Sequence, residues 1–137
     1  MLNVKLNPEV LNDLEYSPFN FYLTGSRFFG HSNTHSDWDF FAENDGEVVD
    51  WLQTIGFEYH GESYPDDPQI ATVYRFQSTE LIVDVQLVRD IHKKIKVQNT
   101  LGRSNVLRHI SMYVSNESHR KALARSVWKT AYMLLEN

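Results

Sequence analysis

The chain has 137 residues, of which 42% are hydrophobic and 13% aromatic, a composition that suits one domain with a packed core and argues against disorder. It contains no cysteine, so disulfides and thiolate metal sites are excluded. We recognise no signal peptide at the N-terminus and no apolar stretch of membrane-spanning length. We therefore expect a cytoplasmic protein without a membrane partner.

Charge is distributed unevenly along the chain. Residues 1–88 hold three basic and fifteen acidic side chains, a net charge of -12, whereas residues 89–137 hold ten basic and three acidic ones, a net charge of +7. These parts together give the -5 of the whole chain. An acidic part suits a metal ion and a basic part suits phosphate. Mutual attraction of the two parts, or simple solvation, explains the pattern equally well.

The first half of the chain predicts helices alternating with strands. Asn7 and Pro8 favour the cap and first position of a helix that stops before Pro18. The segments that follow, in order, are predicted as a strand (19–24), a turn and loop rich in Gly, Ser, Asn, Thr and His (25–36), a strand (37–42), a helix opened by 44–46 and stopped by Gly56, and a short strand (57–59).

The second half predicts a hairpin followed by helices. The segments are a polar loop (61–69), two antiparallel strands (70–76 and 81–88), and helices over roughly 89–101, 104–114 and 117–135. On the last helix, Leu123, Val127 and Leu134 are expected to line one side, and Trp128 and Tyr132 to be core residues. This order predicts an α+β fold, a small mixed sheet flanked by helices with a helical C-terminal third, in one domain spanning 1–137.

A glycine–serine pair, Gly25 and Ser26, follows the first predicted strand. Glycine lets the backbone turn sharply and lets a phosphate approach closely, while amide groups and the serine hydroxyl can donate hydrogen bonds to its oxygens. The same pair also marks ordinary turns, so alone it is weak evidence for phosphate binding.

Two aspartates, Asp37 and Asp39, flank Trp38 at the start of the next predicted strand. Because strand side chains alternate, both carboxylates are expected on one face and the tryptophan on the other. Carboxylates placed side by side repel each other unless a cation lies between them, and oxygen ligands at this spacing suit Mg²⁺. A solvated strand end is the alternative interpretation.

A third aspartate, Asp84, interrupts the apolar strand predicted over 81–88. Alternation directs the odd-numbered residues toward the core and Asp84, with Ile82 and Gln86, toward the other side. A mid-strand aspartate is disfavoured by propensity and costly to bury unpaired. It therefore requires a partner such as a metal ion, an arginine, a lysine or solvent.

The three features occur together in a recognisable order. Residues 25–41 contain a Gly-Ser-Arg-x-x-Gly opening and a Ser-Asp-x-Asp block, with ten residues separating Ser26 from Asp37. With Asp84 on a later strand, this pattern resembles the polymerase-beta-like nucleotidyltransferase superfamily, in particular its branch of small predicted nucleotidyltransferases. The resemblance covers residues 19–41, whereas the C-terminal third matches only as a generic helical region.

The resemblance implies a nucleotidyltransferase fold with a metal-dependent site. Asp37 and Asp39 would hold the Mg²⁺, or Mn²⁺, that bridges the phosphates of a nucleotide. Asp84 would complete a second metal position and help to deprotonate the attacking hydroxyl. Trp38 is larger than the usual middle residue of the block, which affects the expected packing behind the strand rather than the ligands.

The resemblance also implies a reaction. Gly25 and Ser26 would cradle the β- and γ-phosphates of ATP or another nucleoside triphosphate, and Arg27 would add positive charge there or pair with an acid of the fold. A nucleoside monophosphate would pass to an acceptor hydroxyl of an RNA end, a protein or a small molecule, with release of pyrophosphate. Many relatives carry an additional helical domain, so we also expect a minimal enzyme, or one that needs a partner chain or a second copy.

Three further interpretations stay open at this stage. A non-catalytic nucleotide- or protein-binding module on the same fold would use the charged parts without turnover. His31 and His35 with Asp37 offer a zinc-binding alternative. Several other side chains are possible nucleotide or acceptor contacts, although a solvated or structural role is the simpler interpretation for each: Tyr74, Arg75, Lys93, Lys94, Lys96, Arg125 and Lys129.

Overall fold

The computed structural model describes residues 9–30, 32–33, 36–63 and 71–135. In chain order the elements are α1 (Glu9–Glu15), β1 (Tyr22–Thr24), α2 (Gly25–Phe29), β2 (Trp38–Glu43), α3 (Gly46–Thr54), β3 (Glu58–Ser63), β4 (Ala71–Gln77), β5 (Ile82–Val88), α4 (Ile91–Ser104), α5 (Val106–Tyr113) and α6 (Glu117–Leu134). The predicted Asn7 cap and Pro8 start of α1 lie outside these ranges.

A mixed sheet organises the described residues. Its five strands lie in the order β1-β2-β5-β4-β3. The β2 and β5 strands pair in parallel, and the other neighbouring strands pair antiparallel. All of these strands come from residues 1–88, and beyond Val88 the described chain is helical. The α+β fold class with a small mixed sheet and a helical C-terminal part is therefore confirmed.

One face of the sheet packs on α1 and α3. Asp45 caps the start of α3 by accepting a hydrogen bond from the Glu47 backbone N–H at 2.8 Å, as the local sequence predicts. Gly56, with φ +99°, follows the end of the helix and turns the chain back toward β3. The buried cluster on this face consists of Val10, Leu14, Ala42, Val48, Leu52, Phe57, Val83, Val85 and Leu87.

The opposite face of the sheet carries α4 and α6. Phe41 and Val88 from the sheet pack with Ile91 of α4, and the half-buried Ile95 and Trp128 close over them. The C-terminal helices thus cover the face on which the odd-numbered residues of β2 lie. The candidate site lies on this face, between the sheet and the helices.

The segment over 25–36 differs from the predicted loop because Gly25–Phe29 forms the short helix α2. Phe29 is buried with Val97 and Leu101 of α4, and the Phe28 ring lies against Gly102. Five residues are too few to show a helical period in the sequence. Packing against α4, which the local sequence does not reveal, stabilises this turn of helix.

The contact face of α6 also differs from the prediction. Leu123 and Leu134 are 44% and 76% exposed, so the prediction that they line the packed side is wrong. Val127 does pack on the core, together with other half-buried residues of α6, namely Ala124, Trp128, Ala131 and Tyr132. The packed side of the helix consists mainly of small and aromatic residues. The spacing of its leucines therefore indicates the wrong side.

The bounds of the remaining elements agree closely with those predicted from the sequence. The β4 and β5 strands form the predicted antiparallel hairpin, and α4, α5 and α6 lie within a few residues of their predicted bounds. The β3 strand extends beyond the predicted 57–59 into the predicted loop. No helix in the described ranges is long and apolar enough to cross a membrane.

Candidate functional site

Strand register places five polar residues in one row across the whole sheet. Thr24 of β1 pairs with Asp39 of β2, which pairs with Asp84 of β5. Asp84 pairs in turn with Arg75 of β4, and Arg75 pairs with Glu58 of β3. Residues directly opposite each other on neighbouring strands project to the same face. The two aspartates predicted from separate strands are therefore neighbours.

Asp39 has an altered proton affinity because of where this row places it. Burial, followed by the nearby negative charges of Asp84 and Asp37, raises the pKa of its carboxyl from 3.8 to about 6, against the opposing effect of Arg75 and Arg27. Ionisation of Asp39 therefore costs more free energy in the isolated folded protein than it does in water. A bound cation would relieve both the desolvation and the repulsion.

Asp37 immediately precedes β2 and is half-buried. Its charge acts on both Asp39 and Arg75, which locates it beside the row. Trp38, between the two aspartates, belongs to the core on the other side, where its ring stacks on Phe40 with 6.4 Å between ring centroids. Trp38 and Asp39 therefore project to opposite faces of β2, as alternation predicts, and the large tryptophan packs on the core side.

Asp84 is buried, and Arg75 is its partner. The Nε and Nη2 atoms of Arg75 donate to the two carboxylate oxygens of Asp84 at 2.7 and 2.9 Å. This bidentate pair explains how a charged residue is tolerated in an apolar strand. Among the described residues, no group of three or more acidic or histidine side chains is arranged to hold a metal ion. Asp39 and Asp84 share one face with the charge of Asp37 nearby, but both oxygens of Asp84 already accept hydrogen bonds from Arg75.

Gly25 touches the carboxylate of Asp39. Its φ is +72°, and a Cβ atom built on it would lie 2.5 Å from Oδ2 of Asp39. Only glycine fits this backbone conformation and this contact. Ser26, the next residue, is half-buried and lines a groove that opens toward α6. The glycine–serine pair therefore lies against the aspartate of the Asp-x-Asp block.

Arg27 is held on the loop side of this turn. Its Nη2 donates to the carbonyl oxygen of Ser36 at 2.7 Å, and its guanidinium lies 4.1 Å from the centroid of the Trp38 ring. These contacts fix the ends of the segment between α2 and β2 to each other. Its predicted role as a phosphate contact stays a prediction, and the observed geometry supports positioning of the segment.

Two adjoining cavities lie between the row and the C-terminal helices. The inner cavity, of about 280 Å³, contains Asp39 and Gly25 in its wall; its other lining residues are Thr24, Phe41, Gln86, Lys94, Arg125 and Trp128. The outer groove, of about 830 Å³, runs past Ser26 toward α5 and α6. Gly25, Arg125 and Trp128 line both, so the cavities meet beside the carboxylate.

Basic residues of the C-terminal part line these cavities. Arg120, Lys121 and Arg125 of α6 line the outer groove. Lys94 of α4 is 4% exposed, lines the inner cavity, and has its ammonium 6.0 Å from the centroid of the Phe41 ring. The acidic and basic parts of the sequence therefore meet at the candidate site. Only their tertiary arrangement, not their order in the chain, shows this.

Sequence reasoning treated Lys94 as one of several lysines. Lys94 lies three residues after the buried Ile91 and three before the buried Val97. This helical spacing indicates that its side chain points inward. Trp128 was predicted as core, and the described structure adds that it forms a wall of both cavities.

The other possible contacts are not part of these cavities. Tyr74 packs with the α1–α3 side of the core, and Lys93 lies over the Tyr132 ring. Lys96 lines a separate cavity at the far end of the sheet, and Lys129 is exposed on α6. His31 and His35, the zinc alternative, lie outside the described residues.

Comparisons with protein-family models, curated proteins and solved structures give no match. The family resemblance therefore stays a prediction from the motif and from the arrangement of its residues.

Proposed function

We propose that this protein is a nucleotidyltransferase that uses Mg²⁺, or Mn²⁺, on a nucleotidyltransferase fold. The observation that carries the proposal is the convergence of Gly25, Asp39 and Asp84. Gly25 lies against the Asp39 carboxylate, and strand register places Asp84 beside it. The Gly-Ser and Asp-x-Asp parts of the motif and the third aspartate, far apart in sequence, thus support one site.

The residues at this site suit a divalent ion. Asp37 and Asp39 supply carboxylate oxygens, the ligands Mg²⁺ prefers, and the raised pKa of Asp39 reflects burial and neighbouring negative charge, both of which a bound cation would offset. The ion would polarise the phosphates and stabilise charge that develops during transfer. Asp84 supplies the third carboxylate of the proposed site, and the hydrogen bonds from Arg75 fix the orientation of this carboxylate.

The nucleoside triphosphate would lie across the junction of the two cavities. Backbone amides at Gly25 and Ser26, and the Ser26 hydroxyl, would donate to its phosphate oxygens. The groove of about 830 Å³ falls in the range of small-molecule sites, and its Arg120, Lys121 and Arg125 suit an anionic ligand. Trp128 offers an aromatic surface at the junction.

The proposed reaction is an in-line displacement at the α-phosphorus. The oxygen of the acceptor hydroxyl forms the new bond to phosphorus, the bond from phosphorus to the bridging oxygen breaks, and pyrophosphate leaves. The hydroxyl proton would pass to a nearby base, and Asp84 is our candidate for that base. The acceptor class is an RNA end, a protein or a small molecule.

A transfer assay tests this proposal. The purified chain is incubated with each of four α-labelled nucleoside triphosphates, Mg²⁺ and a broad acceptor mixture that includes cell extract. We expect one or more labelled products, which disappear in the Asp37→Ala/Asp39→Ala variant. The matched control is Glu15→Ala/Asp50→Ala, which removes two exposed carboxylates from α1 and α3 and is expected to retain transfer. Absence of transfer with every nucleotide would contradict the proposal.

A second candidate is a non-catalytic nucleotide- or protein-binding module on the same fold. Two observations favour it: Arg75 engages both oxygens of Asp84, and α6 exposes Leu123, Met133 and Leu134. Exposed apolar residues on one helix suit a protein partner. This candidate predicts that binding survives in the Asp37→Ala/Asp39→Ala variant, which a pull-down with immobilised nucleotide or partner would measure. Loss of binding in that variant would exclude it.

A further inference from the structure

The bond between Arg75 and Asp84 sets how many carboxylates can bind the ion. The side chains of Arg75 and Asp84 are 25% and 12% exposed, so the pair is largely shielded from water. Two charge-assisted hydrogen bonds in this setting are stronger than an exposed ion pair. They use one lone pair on each carboxylate oxygen, so a metal ion would have to bind Asp84 through the remaining lone pairs.

Mg²⁺ requires oxygens at about 2.0–2.1 Å in near-octahedral geometry. A carboxylate held face to face with a guanidinium offers a metal ion only its remaining lone pairs in a fixed orientation, and the positive charge of Arg75 opposes a cation bound beside it. Asp37 and Asp39, on the neighbouring strand, are not bound by that guanidinium in the way Asp84 is.

Resting on the proposed function, we propose that Arg75 is a positioning residue that keeps Asp84 out of the metal's ligand set in the nucleotide-free protein. The resting site then consists of the Asp37–Asp39 pair. Asp84 remains oriented beside it, with its orientation fixed by Arg75. The third carboxylate joins the ion only where the guanidinium is removed or drawn to another anion.

Titration of the full chain with Mn²⁺, without nucleotide, tests this proposal independently of turnover. Binding is followed by the electron paramagnetic resonance signal of free Mn²⁺. We expect Asp39→Asn to weaken binding at least about tenfold, as loss of a ligand does, and Asp84→Asn to change it by less than about threefold. Asp84→Asn retains the side-chain shape, so this comparison does not depend on altering Arg75.

The arginine variants test the mechanism. Arg75→Gln is expected to tighten Mn²⁺ binding about tenfold by releasing Asp84, with Arg75→Lys between it and the wild type. The double variant Arg75→Gln/Asp84→Asn is expected to lose that gain. A purely structural role for Arg75 does not predict tighter binding. A gain that persists in the double variant would show that removal of charge, not release of Asp84, is the cause, and would overturn the proposal.

Failure of this inference and failure of the proposed function give different results. A wild-type protein that binds Mn²⁺ but loses it at least about tenfold in Asp84→Asn has three resting ligands, which overturns the inference and leaves the proposed function standing. A wild-type protein that binds no Mn²⁺ without nucleotide lacks the resting Asp37–Asp39 site, which overturns the inference, whereas the transfer assay decides the proposed function. Circular dichroism of each variant verifies that the fold is retained.

Discussion

At position 25, both the backbone conformation and the contact with Asp39 require glycine. A Gly25→Ala substitution would place a methyl group at φ +72° and 2.5 Å from the Asp39 carboxylate. We expect it to destabilise the protein by about 2–4 kcal/mol, from left-handed strain together with displacement of the carboxylate. Urea unfolding measures the loss, and we expect Mn²⁺ binding to weaken in parallel.

Gly30 provides the matched control for that substitution. Its φ is +82°, but within the described part of the chain an added Cβ meets no atom within 4 Å. Gly30→Ala should therefore cost only the backbone strain, about 1–2 kcal/mol, with Mn²⁺ binding unchanged. Equal effects of the two substitutions on Mn²⁺ binding would show that the contact with Asp39 is unimportant.

The charge of Asp39 makes stability depend on pH. Because its folded pKa is about 6 and its ordinary value is 3.8, the folded state binds this proton more tightly than the unfolded state does. The resulting stabilisation is complete below about pH 4 and is lost as the pH rises through 6. At pH 8 the buried, ionised carboxylate is destabilising.

Asp39→Asn removes this effect. Without added metal we expect it to stabilise the protein by about 2 kcal/mol at pH 8, and the gain to disappear toward pH 4, where wild-type Asp39 is protonated. Thermal unfolding at a series of pH values measures the difference. Glu15→Gln, on the exposed end of α1, serves as the control. A destabilisation of the same size at every pH would contradict this reasoning.

At the scale of the elements, the sequence correctly predicted those features that depend only on neighbouring residues in the chain. Asp45 and Gly56 define α3 because a cap and a left-handed glycine act on their own helix end. Alternation predicted that Asp84 projects away from the core side of β5, and it is the pairing of β5 with β2 that puts Asp84 on the same face as Asp39. The α2 helix was missed because its stability comes from Phe29 packing on α4, a contact distant in sequence.

Two residues of α6 distinguish the side of the helix that packs on the core from the side that is exposed. Trp128 forms edge-to-face contacts with Phe29 and Phe41, with centroids 6.1 and 6.0 Å apart, whereas Leu134 is 76% exposed. We expect Trp128→Ala to destabilise the protein by about 3 kcal/mol and Leu134→Ala by no more than about 0.5 kcal/mol. Denaturant midpoints measure both. A larger loss from Leu134→Ala would mean that the predicted aliphatic side is the packed one after all.

At the scale of the whole molecule, the acidic sheet and the basic helices meet around one pair of cavities. The charge division was visible in sequence, but the register that joins Asp84 to Arg75 was not, because strand order and pairing depend on contacts across the whole chain. Arg75 was named only as one of several possible nucleotide contacts. Its bond to Asp84 is the reason for our proposal that the resting site consists of the Asp37–Asp39 pair, with Asp84 restrained beside it.

The position of the label in the nucleotide tests the central claim most directly. Parallel reactions contain the same nucleoside triphosphate labelled at the α- or the γ-phosphate, with Mg²⁺ and the acceptor mixture. Nucleotidyl transfer at Asp37 and Asp39 predicts that the α-label appears on the acceptor and the γ-label in pyrophosphate, and that the Asp37→Ala/Asp39→Ala variant gives neither product. Transfer of the γ-label to the acceptor, or no α-labelled product with any nucleotide, would contradict the account.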